Sequence, residues 1–330
     1  MKQSTLFIGS VTTIDYAYVH STKLTIVGGS LNLSVEVTGN IEPIENVVVD
    51  FGTIKKSIKN LIDDKEEGFD HKLWVPEKHG GIDDFELWAA VPGKAKDYER
   101  IAMFPFGDGR MVVSTPLFTL ACPRNAIKVC KCDSILISDS IRDYLEEKLN
   151  IEYPNSDIKV KVFLTDRPVL PHDNFPGNEI SFTYVHGLKN STSWGCQNIA
   201  HGHKSWLLFL DSYGQIVHPS YDFKLKIEDY IDGRMFIWRD NILGDNDLGL
   251  TIGYETPRGA FYLVVDKASI KTHIIDTETT VEHLAEWFVS FFEEDVKKMV
   301  KLGATSVYFS EGLVKGARVS LRGRFGDDSI

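Results

Sequence analysis

The residues with the clearest capacity for chemistry lie in the C-terminal half. There Cys196-Gln-Asn-Ile-Ala-His201-Gly-His203 runs straight into the apolar stretch Ser205-Trp-Leu-Leu-Phe-Leu210. Trp206 to Leu210 read as a strand with His201 and His203 at its start, and side chains two apart on a strand share a face. Upstream, Ile180-Ser-Phe-Thr-Tyr-Val-His186 is a second strand-like run that ends in histidine. Three imidazoles on neighbouring strands, with a thiol beside them, are the donor set of a catalytic zinc that keeps one position open. The spacing therefore predicts zinc (Zn2+) at His186, His201 and His203, and metal-assisted chemistry.

The chain that must position these groups has 330 residues, enough for two ordinary domains with full cores. Its apolar content of 43% and charged content of 25% are those of a globular protein in water. A formal charge of −11 argues against a nucleic-acid partner and leaves an anionic small molecule possible only at a local basic pocket. No stretch of about 18 apolar residues is present, so no membrane span is expected. Four cysteines are too few for a disulfide scaffold, and the N-terminal residues enter a strand pattern without a signal peptide's apolar core. The expected compartment is the cytoplasm.

Compared with itself, the chain contains an imperfect repeat. Asp15-Tyr-Ala-Tyr-Val-His20 resembles the run ending in His186, and Gly28-Gly-Ser30 falls where His201-Gly-His203 falls. Phe118-Thr-Leu120 matches Phe261-Tyr-Leu263. Each half then carries a helix, Ser138 to Leu149 and Thr280 to Met299, leading into strands at Ile158 to Leu164 and Thr305 to Phe309. Apolar residues at Ile54, Ile58, Leu61 and Ile62 predict an earlier helix. Strands interleaved with a few helices indicate an α+β fold. A long loop is expected from Lys78 to Lys96, and a proline-rich linker from Pro168 to Gly177 divides the chain into units 1–167 and 178–330. Cys130-Lys-Cys132, without further ligands at zinc-like spacing, and the charged face around Glu293 to Lys298 read as structural.

Taken together, these residues resemble the 6-pyruvoyl-tetrahydropterin synthase and 6-carboxy-tetrahydropterin synthase family, the latter being its queuosine-pathway branch. The family pattern is a strand ending in His, then a Cys shortly before His-x-His, and Val-x-Asp-Phe opening a helix. An Asp-His-Lys-x-Leu element, a Pro-Thr-x-Glu-x-Leu-Ala-x-Trp helix and a strand ending in Glu follow. Here the pattern is split. The first half supplies Val48-Val49-Asp50-Phe51 and Asp70-His71-Lys72-Leu73. The second supplies His186, Cys196, His201, His203, Thr279-Thr280-Val281-Glu282-His283-Leu284-Ala285-Glu286-Trp287 and Glu311. The first half keeps His20 but has Gly28 and Ser30 at the other two ligand positions, with Asp166 near the place of Glu311. The second has Trp238-Arg-Asp240 roughly where Asp-His belongs. Each half has lost what the other retains, which implies one composite site per chain.

The resemblance implies tandem tunnelling-fold units, antiparallel sheets with helices on one face, which close their sheet edges by assembling into homo-oligomers, here a dimer or trimer of tandem chains. It also implies 7,8-dihydroneopterin triphosphate as substrate and elimination of triphosphate. Cys196 would take a proton from carbon, Asp70 would orient His71, and His71 would relay protons. Glu311 would accept hydrogen bonds from the pterin ring, while Thr280 and Glu282 would either contact that ring or cap their helix. Asp70-His71 also fits a plain helix-to-strand turn. The competing reading is a non-catalytic oligomeric binding or structural protein descended from such a synthase.

Overall fold

The computed structural model describes residues 2–42, 46–77, 101–107, 109–131, 136–168, 179–247 and 249–325. The loop expected from Lys78 to Lys96, nearly all of the Pro168 to Gly177 linker, and Cys132 lie outside them.

The first half begins with a long antiparallel hairpin, β1 (Gln3–Val19) and β2 (Ile26–Asn40), followed by α1 (Phe51–Ile62) and β3 (Leu73–Pro76). A meander of β4 (Ala102–Phe106), β5 (Arg110–Ser114) and β6 (Phe118–Pro123) precedes β7 (Ile127–Cys130), α2 (Ile137–Glu152) and β8 (Lys159–Thr165). The second half repeats this order. It has β9 (Ile180–His186), β10 (His201–Leu210), α3 (Tyr221–Ile231) and β11 (Arg234–Trp238), then β12 (Ile242–Asn246), β13 (Gly249–Thr256) and β14 (Gly259–Val265). β15 (Thr272–Ile275), α4 (Val281–Phe291), α5 (Glu293–Lys301), β16 (Ser306–Glu311) and β17 (Lys315–Ser320) complete it. The fold is α+β, as expected.

Helix positions follow the apolar period. Ile54, Ile58 and Ile62 form the buried stripe of α1, whose N-terminus is capped by Asp50 accepting from the Thr53 amide at 2.8 Å. Ile137, Ile141, Leu145 and Leu149 do the same for α2. The single helix expected from Thr280 to Met299 is instead two. Phe292 ends α4 by donating its amide to Phe288 O and starts α5 by accepting from Val296, so its buried ring is the hinge between them.

Three sheets result. One, in the order β7-β3-β1-β2-β8, belongs to the first half, and its helices α1 and α2 cover one face. The second, β15-β11-β9-β10-β16-β17, belongs to the second half, and its core packs against α3, α4 and α5. The third, β12-β13-β14-β6-β5-β4, is built from both halves: β6 pairs antiparallel with β14, Leu120 opposite Leu263. Its apolar face shares a core with Ala17, Leu73, Val185 and Met235. The matched meanders thus join the halves through backbone hydrogen bonds, which no edge strand alone would satisfy.

The two hairpins also cross face to face. A Cβ on Gly28 would lie 2.1 Å from Tyr184 O, and one on Gly202 would lie 2.4 Å from Gly28 Cα. Only glycine permits this approach. It brings β1 and β2 of one half against β9 and β10 of the other.

Candidate active site

The β9–β10 register places His186 opposite His201 and Tyr184 opposite His203. All three imidazoles are fully buried, and one ligand nitrogen from each lies within 4.8 Å of the others. His186 Nδ1 donates to Thr279 O at 2.7 Å, which directs its Nε2 into the cluster. His203 Nδ1 lies 3.2 Å from Asp15 Oδ1, so its Nε2 also turns inward. His186 Nε2 and both nitrogens of His201 and of His203 have no well-aligned hydrogen-bond partner among the described residues, although His203 Nδ1 stands at ion-pair distance from Asp15. Buried ring nitrogens without partners are costly unless an ion takes them. Burial, with His203 alongside, pushes the His186 pKa down to about 3, and His201 is held low for the same reasons. Neutral imidazoles at His186 and His201, with inward lone pairs, fit a zinc-type ion.

Beside this cluster stand Cys196, His71 and Asp70. Cys196, in the short turn before β10, has its Sγ 3.7 Å from His71 Nε2, and Asp70 Oδ2 holds His71 Nδ1. The loop between α1 and β3 fixes that geometry. Asp70 Oδ1 accepts from the Asp15 amide at 2.8 Å, and the His71 amide donates to Asp15 O at 2.7 Å. His71 takes a left-handed backbone, φ +55°, an uncommon conformation for a non-glycine residue. Burial alone would lower the His71 pKa, but the Asp70 charge and hydrogen bond, with Cys196, hold it well above the usual histidine value. Burial alone would raise the Cys196 pKa, and the hydrogen bond and charge from His71 bring it below the ordinary thiol value. Such a pair tends towards imidazolium and thiolate.

The residues brought together match the expected set at His186, His201, His203, Cys196, Asp70 and His71. Glu311 is also there. Its Oε1 lies 3.7 Å from His203 Nε2 and 4.0 Å from His186 Nε2, and its Oε2 lies 3.3 Å from Lys315 Nζ. Thr280 and Glu282 are different. The Thr280 hydroxyl caps α4 through the His283 amide, and Glu282 is exposed in the first turn. The contact from this element to the cluster is the Thr279 carbonyl.

Three contributors had no sequence signal. Asp15 is buried, accepts from Ser30 Oγ at 2.5 Å, and backs His203; its neighbours His203, His71 and Lys315 outweigh burial and keep its carboxyl far below the usual range. Arg258, in the turn between β13 and β14, donates to the carbonyls of His71, Trp194, Gly195 and Asn125 and stacks on Trp194 at 3.7 Å. Asn198 donates to His71 O and Ala126 O, both at 3.3 Å. Arg258 and Asn198 tie the Cys196 turn to the Asp70-His71 loop. Long-range pairing alone brings them there.

The register corrects the internal alignment. Asp232 accepts from the Thr183 amide as Asp70 accepts from Asp15, and the Gly233 amide donates to Thr183 O as His71 donates to Asp15 O. Gly233 shares the left-handed φ, +69°. Asp232-Gly233, and not Trp238-Arg-Asp240, therefore occupies the Asp-His position of the second half. Equally, Ala17 pairs with Gly28 as Val185 pairs with Gly202. Tyr18, Val27 and Gly29 thus stand where His186, His201 and His203 stand, while His20 lies two residues beyond and its Nδ1 accepts turn amides of Thr22 and Lys23. The Tyr-Val-His string common to both halves shifts the ligand positions of the first half by one or two residues, and Trp238-Arg-Asp240 lies six to eight residues past the Asp-His position. Asp166 does fall at the Glu311 position, one residue past the strand β8, and forms an ion pair with Lys204. This related position is a cavity of about 630 Å³ lined by Tyr18, Val27, Gly29, Trp74, Asp166 and Lys204, among others. None of the residues at the three ligand positions, Tyr18, Val27 and Gly29, is a histidine.

No protein-family profile matches the chain, and none of the curated proteins matches it. Among solved structures it is similar to 6-pyruvoyltetrahydropterin synthase from Plasmodium vivax. A catalytic-residue variant of that protein aligns at 14% identity over 52% of this chain and 95% of its own, with a TM-score of 0.36. Another P. vivax structure aligns at 14% identity over 49% and 91%, TM-score 0.34. The Plasmodium falciparum synthase aligns at 13% identity over 51% and 94%, TM-score 0.35. Each match spans about half of this chain. Likenesses this remote assign no activity, and the functional reading rests on the site. None of the described helices is long and apolar enough to cross a membrane.

Proposed function

We propose that this chain is a zinc-dependent pterin synthase that converts 7,8-dihydroneopterin triphosphate to 6-carboxy- or 6-pyruvoyl-tetrahydropterin with loss of triphosphate. The carboxy product would place it in queuosine synthesis. The observation that carries the reading is the Cys196–His71 pair, 3.7 Å apart, next to three convergent imidazoles in one chain. Zinc held by His186, His201 and His203 would supply Lewis acidity to the substrate's side-chain hydroxyls.

Cys196, as thiolate, takes a proton from the side-chain carbon, and His71 carries protons between that thiol and the substrate oxygen. Asp70 holds the His71 ring and stabilises its protonated form. Glu311 accepts from the amino and N–H edge of the pterin, with Lys315 fixing its other oxygen. Arg258 keeps the two loops in register. The site works inside one chain, and homo-oligomers of tandem chains, dimeric or trimeric in a cytoplasmic setting, would close the outer sheet edges.

Metal analysis and turnover test this directly. Purified protein, freed of excess ion, is expected to hold about one zinc per chain. His203→Ala should lose both that zinc and turnover of dihydroneopterin triphosphate, while His71→Ala should keep the zinc and lose turnover. Acetaldehyde release separates the carboxy product from the pyruvoyl one. Turnover surviving in either variant removes the mechanism.

A further inference from the structure

His201 belongs to two ligand sets. With His186 and His203 it forms the cluster above, and with Cys196 and His71 it forms a second set whose ligand atoms also lie within 4.8 Å of one another. We propose that Cys196, His71 and His201 form a second divalent-ion site, and that an ion bound there switches the enzyme off. The inference rests on the proposed function for its consequence, because the ion would occupy the thiol and imidazole that move protons.

Two observations point to an ion. First, zinc bonds of about 2.3 Å to sulfur and about 2.1 Å to nitrogen, at a tetrahedral angle, set a sulfur-to-nitrogen separation of about 3.6 Å. Cys196 Sγ and His71 Nε2 stand 3.7 Å apart, so this edge of the site needs no rearrangement. Second, His201 is completely buried and neither of its nitrogens has a hydrogen-bond partner among the described residues. One nitrogen would serve the three-histidine ion. The other would serve the second ion, since opposite ends of one imidazole ring can serve two sites.

Access and charge are compatible. The His71 side chain is 15% exposed and Cys196 is 8% exposed, so this set touches solvent, whereas His186, His201 and His203 are fully buried. Asp70 behind His71 supplies the outer carboxylate that orients a metal-bound imidazole. On binding, the one proton shared by the Cys196–His71 pair and the N–H proton on the second nitrogen of His201 go to solvent, and the ion accepts lone pairs from Cys196 Sγ, His71 Nε2 and His201. No electron changes hands. The second ion should be the weaker, since it must displace both protons while the first meets His186 and His201 already neutral.

Cobalt(II) titration of the metal-free full-length protein tests this without reference to turnover. The first equivalent should give ligand-field absorption without thiolate-to-cobalt charge transfer in the near ultraviolet, and further cobalt should bring that band in. Cys196→Ser should lose the band and keep the first equivalent. His203→Ala should show the band from its first bound ion, because the second set is intact. A band that rises with the first equivalent in the unaltered protein, or no band at any excess, overturns the proposal. A protein that shows the expected cobalt pattern but no turnover with the pterin supports the second site and removes the proposed reaction instead.

Discussion

Asp15→Asn is the substitution that most sharply examines how the first half supports the three-histidine cluster. Asp15 is 4% exposed, and its Oδ1 meets both His203 Nδ1, at 3.2 Å, and Ser30 Oγ, at 2.5 Å. Its Oδ2 faces the Lys315 ammonium at 3.9 Å. Asparagine has the same shape, so packing should survive, and the backbone bonds to Asp70 and His71 do not involve the side chain. The charge disappears, however, and the amide must present either its oxygen or its NH2 to Lys315. With oxygen kept towards His203 and Ser30, two donors meet at the Lys315 side. Loss of a carboxylate partner behind a metal-bound histidine weakens affinity about 10- to 100-fold. Because this carboxylate is buried and the replacement leaves a donor clash, the upper end is expected, about 2.7 kcal/mol. Competition with a chromophoric chelator measures the zinc affinity directly. Ser30→Ala is the control and should lose far less, since it removes one hydrogen bond and leaves the charge. A zinc affinity for Asp15→Asn within about threefold of the unaltered protein, against the tenfold minimum expected, refutes the reasoning.

The metal-free protein should lose stability in mild acid. Its fold keeps His186 neutral down to about pH 3, and His201 low as well, while the unfolded chain binds protons near pH 6.5. Stability is therefore complete above that value and falls as pH drops below it, by up to about 1.4 kcal/mol per unit for each histidine. Urea midpoints between about pH 7 and pH 5 should show the fall, and His186→Gln should flatten it. Arg258→Ala removes a buried cation shared by four carbonyls, so a loss of about 3 kcal/mol is expected in urea denaturation. Its bound zinc should persist while turnover falls, because its contacts are to the Cys196 and His71 loops and not to the three-histidine cluster. Gly28→Ala would drive a methyl into Tyr184 O and the His203 amide, forcing the hairpins apart at a cost of about 3 kcal/mol. Zinc affinity, measured by the same chelator, should drop with it.

The candidate site was legible to the degree that its chemistry is local. His201 and His203 announce themselves by a two-residue spacing at the head of a strand, and His186 by ending its neighbour. Helices α1 and α2 were legible because one apolar stripe spans three or four turns. The break at Phe292 was not, since the apolar spacing continues across it and only the backbone bonding differs. The repeat was legible in outline and misaligned in detail. Similar residue strings, Tyr-Val-His in both halves, outweighed the hydrogen-bond register that places Tyr18, and not His20, opposite the missing ligand.

The sequence by itself determined the α+β class, three histidines at strand spacing, and the placing of Asp70-His71 in one half with Cys196 and those histidines in the other. Those properties follow from residue type and short-range period, which the chain carries at every position. Only the tertiary structure decided that His71 reaches Cys196 within one chain, that Asp15 backs His203, and that Arg258 binds both loops. These contacts join residues separated by 125, 188 and up to 187 positions, read from their numbers and their hydrogen bonds. They depend on β6 pairing with β14 and on two glycines letting the hairpins cross. Strand pairing over such separations is set by the packing of the whole core, and no short-range pattern encodes it.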